Sequence, residues 1–190
     1  KKQRFGTFLN KWGRVLATYG SAVLKFVEKG GELIPSVIAW NSLIVDPQDF
    51  TALPVIEKFY LTPAQLRKRK EYNQDVVKNL LNARTTRKNI GRQNQDSLSE
   101  FIELFEVHGE LSQALYKQAK GKEVKDGDED IYFQQMHVVS YVGTGKTKGG
   151  KREYEDFTLY CGREEKSPYM LTHLIEEDRR TLSRGAIENL

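Results

Sequence analysis

The chain has 190 residues, 30 Lys and Arg against 26 Asp and Glu for a net charge of +4, a 38% hydrophobic fraction and a single cysteine. That length suits one domain, or a domain carrying a long insertion. No apolar run approaches the roughly 20 residues of a membrane span, and Cys161 alone excludes an internal disulfide framework and fits a reducing compartment.

Phe5, Phe8, Leu9, Trp12, Val15, Leu16 and Tyr19 recur at three and four residues and predict an amphipathic helix that stops at Gly20. Ala22–Val27 reads as a strand, Lys29-Gly30-Gly31-Glu32 as a hairpin turn and Leu33–Trp40 as the return. Pro35, which lacks an N–H for the ladder, places that return at a sheet edge or a bulge. Ile44-Val45-Asp46-Pro47 is a short extended piece closed by a turn, and Pro54–Leu61 a further strand. Thr62-Pro63-Ala64-Gln65 has a capping residue, Pro in the first turn and Gln three residues on, which opens a helix with a capping box.

Beyond it lie the basic run Arg67-Lys68-Arg69-Lys70 and an amphipathic segment with Tyr72, Val76, Val77, Leu80 and Leu81. The polar stretch from Asn82 to Ser97 offers little to pack, so an exposed or mobile excursion is expected at about residues 82–98. Phe101–Val107 alternates as a strand, with Phe101, Glu103, Phe105 and Val107 on one face and Ile102, Leu104 and Glu106 on the other. Lys117–Asp130 reads as a charged loop. Ile131–Val142 and Asp156–Cys161 read as strands flanking a long basic hairpin loop, Gly143–Arg152. Tyr169, Leu171, His173 and Ile175 share a face of a last strand, and Ala186–Leu190 predicts a helix that begins there and runs beyond the end of the chain. The fold class expected is α+β: short antiparallel strands and hairpins with a long N-terminal helix and a central helix, all in one domain over 1–190.

Candidate chemistry is sparse. Ser140–Thr147 matches the phosphate-cradling pattern G-x-x-x-x-G-K-[ST] except for Ser140 in place of the first Gly. A phosphate loop must open a helix whose amides complete the anion site, and Lys148-Gly149-Gly150-Lys151-Arg152 is a poor helix start. A basic hairpin tip is the simpler reading. Cys161 could pair with His108, His137 or His173 as a nucleophile, but an isolated Cys in an apolar strand is ordinarily core. The acidic clusters Asp126–Asp130 and Glu176–Asp178 lack calcium-loop spacing, and no His/Cys spacing suits zinc. No catalytic constellation, cofactor site or metal site is expected. Arg67, Lys68, Arg69 and Lys70, with Arg84, Arg87, Lys88 and Arg92 nearby, could contact phosphate or another subunit. Charge is also polarised: residues 1–90 hold 16 Lys/Arg against 7 Asp/Glu and residues 91–190 hold 14 against 19, so +9 and −5 make up the total. A nucleic-acid-binding module with a basic N-terminal half is one reading of that polarity.

The order of the segments resembles another class of protein. A leading helix, then Thr18-Tyr19-Gly20-Ser21-Ala22-Val23, a hairpin, and Asn41-Ser42-Leu43-Ile44-Val45-Asp46-Pro47 are similar to the N-terminal half of tailed-bacteriophage portal (head-to-tail connector) proteins. Tyr60–Asn73 resembles the strand-to-helix passage of that family's wing, and Phe101–Gly109 its strand of mixed hydrophobic and acidic residues. Glu177–Leu190 resembles the segment leading into the stem helix, departing from it at Arg179 and Ser183, where the family often has Gly. The resemblance implies a wing part, with stem, clip, tunnel loop and crown lying beyond Leu190. It implies a non-enzymatic homo-oligomeric ring, usually a dodecamer, at the capsid vertex of a virion assembled in the host cytoplasm. Its partners would be the capsid protein, the terminase motor, neck or adaptor proteins and the double-stranded DNA passing through, with no membrane.

Overall fold

The computed structural model describes residues 5–90, 101–148, 151–175 and 181–182. It is an α+β protein with antiparallel sheets. The chain divides into two compact units, one made of residues 1–56 and 165–190, the other of residues 57–164 inserted between them.

In the first unit, α1 (Phe5–Tyr19) is followed by β1 (Ser21–Lys29), β2 (Glu32–Ile38), a single 3-10 turn at Trp40–Ser42, β3 (Leu43–Ile44) and, late in the chain, the strand Tyr169–His173. Gly20 ends α1 at φ 70°, a left-handed conformation that costs a glycine little. Gly30 and Gly31, both at positive φ, make the two-residue turn that pairs Lys29 with Glu32. β1 is central, with β2 on one side and Tyr169–His173 on the other, both antiparallel to it. Pro35 therefore sits on an edge strand, as its missing donor requires.

Register assigns the two faces of this sheet. Ala22 lies opposite Thr172 and Leu24 opposite Val37, and the Trp12 indole donates to Thr172 Oγ1 at 3.0 Å, which puts α1 on that side. On the other side Val23, opposite Ile38 and Leu171, packs with Tyr169, Phe50 and Val55, and with Trp40, Leu43 and Val45 at the margin. Thr181, buried at 2% exposure, donates its amide to Pro47 O at 3.0 Å and its hydroxyl to Asp46 O.

In the second unit the spatial order of strands is β4 (Val55–Leu61), β5 (Ile102–Ser112), β6 (Tyr132–Lys148) and β7 (Lys151–Arg163), the last three pairing antiparallel. Three helices accompany them: α2 (Pro63–Lys68), α3 (Gln74–Ile90) and α4 (Gln113–Ala119); the strand Tyr169–His173 of the first unit is β8. The capping box at Thr62 is formed: Gln65 N donates to Thr62 Oγ1, and Thr62 N to Gln65 Oε1. Leu66, Val77 and Leu80 are fully buried and meet Ile102, Leu104, Val138, Val142, Phe157 and Leu159 from the sheet. Removing a Leu from such a core costs about 2–5 kcal/mol, so this layer fixes where the opposite sheet face points.

Four expectations change here. α3 continues through residues 82–90, where a polar excursion was expected, because intrahelical hydrogen bonds do not need an apolar stripe; residues 91–98 lie outside the described residues. The segment read as beginning a charged loop starts with α4, capped by Ser112 and anchored when Lys117 Nζ donates to Asp128 at 2.7 and 2.8 Å. The basic hairpin loop is much shorter than its composition suggests, since β6 runs to Lys148 and β7 starts at Lys151. Finally, those two strands are long, 17 and 13 residues, rather than short. The helix expected at Ala186–Leu190 lies outside the described residues.

Candidate functional site

The basic run sits where α2 ends. Arg67 and Lys68 form its last turn, Arg69 is the C-terminal cap, and all four side chains from Arg67 to Lys70 are exposed. Arg69 is partly committed: its Nη1 lies 3.5 Å from Glu71 Oε1 and its guanidinium over the Tyr72 ring at 5.5 Å. Burial pushes the Tyr72 phenol up to about 12, so it stays neutral. Arg84, grouped with this run by sequence, instead donates to Phe101 O at 3.1 Å, and burial lowers its pKa. The side chains of Arg87 and Lys88, and all of Arg92, lie outside the described residues.

The look-alike phosphate loop is interior β-strand. Ser140 is 1% exposed, pairs with Phe157 and donates its hydroxyl to Glu103 O at 2.8 Å. Thr147 pairs with Arg152 across the ladder, and a strand rather than a helix follows. With a strand in place of a helix after Thr147, no helix N-terminus is there to complete an anion site, and the nucleotide reading falls.

Cys161 and His137 are brought together, opposite each other in β6 and β7, with Sγ 3.5 Å from Nε2. Hydrogen-bond direction decides what they can do. The Gln135 amide nitrogen donates to Leu111 O at 2.6 Å and Ser112 O at 3.1 Å, so its Oε1 faces His137 as an acceptor 2.8 Å from Nε2. Nε2 must carry the proton and has no lone pair to accept one from the thiol. Burial further raises the Cys161 pKa and lowers that of His137, with Lys120 nearby favouring thiolate and neutral imidazole less strongly. The pair is neutral, buried and structural, not an activated nucleophile.

His108 has a different partner set. It is 2% exposed, with Nδ1 2.8 Å from Glu164 Oε2 and Nε2 2.6 Å from Glu106 Oε1. Carboxylates only accept, so two such bonds need both ring nitrogens protonated. Burial pulls the imidazole down, but the bonds to Glu106 and Glu164 outweigh it and the pKa is raised. Among the described residues no group of three His, Cys, Asp or Glu could hold a metal ion.

The feature that sequence reading missed is a groove where α3 and α4 flank the sheet. It encloses about 520 Å³ and is lined by Val107, Leu111, Val139 and Tyr141 of the sheet, Leu115 and Ala119 of α4, and Val76 and Asn79 of α3. Tyr141 lies opposite Asp156 and packs edge-on against Phe105 at 5.8 Å. Beside them Tyr60 donates to Glu103 Oε1 at 2.9 Å. The alternation of Glu103, Phe105 and Val107 signalled one face of a strand, but nothing local said that α4 would leave half of it open. No protein-family model and no curated protein matches this chain.

Proposed function

We infer that this chain is the wing part of a ring-forming tailed-phage portal subunit, a structural component through whose ring DNA is packaged and ejected. The observation that carries the reading is the ordered set of resembling segments, and above all what two of them do in space. Asn41–Pro47 and Glu177–Leu190 are about 130 residues apart in the chain, yet Thr181 of the second is hydrogen-bonded to Asp46 O and Pro47 O of the first. Thr181 is thereby tied to the unit that opens the chain, with residues 57–164 as an insertion.

The ring would assemble by heterologous contacts between subunits, dock the capsid protein, terminase motor and neck proteins, and perform no chemistry itself. Support for the last point is the neutral Cys161–His137 pair and the strand geometry of Ser140–Thr147. The test uses the full-length protein. Light scattering in solution should give a mass near twelve subunits; a monomer mass at every concentration and salt would overturn it.

The exposed run Arg67–Lys70 favours a second reading, a nucleic-acid-binding module. Binding would then weaken steeply with salt, by roughly one counterion per neutralised phosphate, and would be lost in the Arg67→Ala/Lys68→Ala/Lys70→Ala variant. Salt-insensitive binding would remove it.

A further inference from the structure

His137 lines the groove between α3, α4 and the sheet with one ring nitrogen unanswered. Its Nε2 carries the proton that Gln135 Oε1 accepts at 2.8 Å, so Nδ1 holds a lone pair. Gln135 is itself fixed, its amide nitrogen donating to Leu111 O and Ser112 O, which locks the imidazole in this tautomer. Among the described residues no group donates to Nδ1, although His137 is only 8% exposed. Polar atoms this deep in a protein ordinarily have a partner. The donor that Nδ1 lacks must come from whatever fills the groove.

The groove has the size and lining of a small-molecule site. Its volume of about 520 Å³ falls within the range of roughly 300–1,000 Å³ that holds a drug-sized ligand. Val107, Leu111, Leu115 and Val139 make much of the wall apolar, and Tyr141 and Phe157 add ring surface suited to a flat aromatic body. Charge decides against an ionic occupant. An anion would bring its oxygens against the Nδ1 lone pair and against Asp156, which also lines the groove. A cation would meet Lys120, whose charge already acts on the His137 ring, and Arg163, which lies opposite Gln135. Both cations sit over the Tyr116 ring of α4, at 5.8 and 5.4 Å. An uncharged hydroxyl meets neither penalty and supplies the donor.

We propose that this groove binds a small uncharged phenol or aromatic alcohol, its apolar body against the sheet and its hydroxyl donating to His137 Nδ1. Gln135 is then a positioning residue, since it holds the imidazole as the acceptor. The site lies within the inserted unit of a single chain and does not depend on the ring reading.

The test is titration calorimetry of the full-length protein with three probes of one shape: naphthol, its methyl ether, which cannot donate, and naphthoate, which is anionic. Naphthol should bind saturably at one site per chain. The ether should bind at least about fivefold more weakly, the worth of one hydrogen bond, and naphthoate more weakly again. Ala119→Trp, which fills the groove from α4, should abolish naphthol binding. His137→Leu should bring naphthol and the ether to within about twofold of each other, a ratio that a general loosening of the fold would not equalise. Nitrogen NMR of the wild-type imidazole gives a readout that needs no variant: the His137 Nδ1 resonance should move on adding naphthol and stay in place with the ether. No saturable naphthol binding, equal affinity for naphthol and its ether in wild type, tightest binding of naphthoate, or binding that survives Ala119→Trp would each overturn the proposal and leave the ring reading untouched.

Discussion

His108→Gln offers the sharpest test of how the inserted unit is held together. In the native protein an imidazolium with 2% exposure bridges Glu106 and Glu164, whose side chains are 13% and 20% exposed. Glutamine keeps much of the shape but removes the charge, leaving two carboxylates facing each other with little water. Breaking a buried ion pair by deleting one partner costs about 3–5 kcal/mol. The carboxylates retain some solvent, so the lower end applies, about 3 kcal/mol, or a fall of more than about 10 °C in the melting of a unit this size. The pH dependence has a definite sign. A histidine whose pKa is raised on folding contributes fully below its unfolded value near 6.5, and that contribution is lost as pH rises through the folded value. Wild type should therefore lose stability as pH climbs from about 6.5, while His108→Gln should lack this slope. Urea denaturation between pH 5.5 and 9 reads both quantities. A variant as stable as wild type at pH 6, or one with an unchanged alkaline slope, would refute the bridging imidazolium.

Three further outcomes follow from the same packing. Leu80→Ala removes a fully buried side chain from the α3–sheet core and should cost about 3 kcal/mol in chemical denaturation; a loss under about 1 kcal/mol would mean that the core closes over the gap. Thr62→Ala removes the side-chain half of the capping box, the Oγ1 that accepts from Gln65 N, and should cost about 1 kcal/mol, with faster amide exchange confined to the start of α2. Cys161, buried and with its thiol pKa raised by that burial, should resist maleimide in native protein and react completely in 6 M guanidinium; rapid native labelling would contradict the neutral Cys161–His137 pair.

Much of the fold was legible because local signals and packing agree. The three- and four-residue spacing of α1, the Gly30-Gly31 turn, Pro35 on an edge strand and the Thr62 capping box each carry their own physical cause, and the structure contains all of them. The two faces of β5 were legible too: Ile102 and Leu104, read as sharing a face, are both fully buried. Long-range contacts decided the rest. α4 is only seven residues and depends on Asp128, eleven residues past Lys117. The polar end of α3 has no apolar pattern to announce a helix. The spacing of Glu106 and His108 puts both on one strand face, but Glu164 is 56 residues away. Likewise, Cys161 meets His137 only through a register that shifts between Val138 and Val139. The groove depends on how both α3 and α4 meet the sheet, which no local pattern encodes.

The central claim, that this chain is part of a ring, is tested most directly by negative-stain electron microscopy of the full-length protein. Closed rings with a central channel, with about twelve subunits in averaged end-on views, are the result the account predicts. Single particles of monomer size across concentration and salt would contradict it.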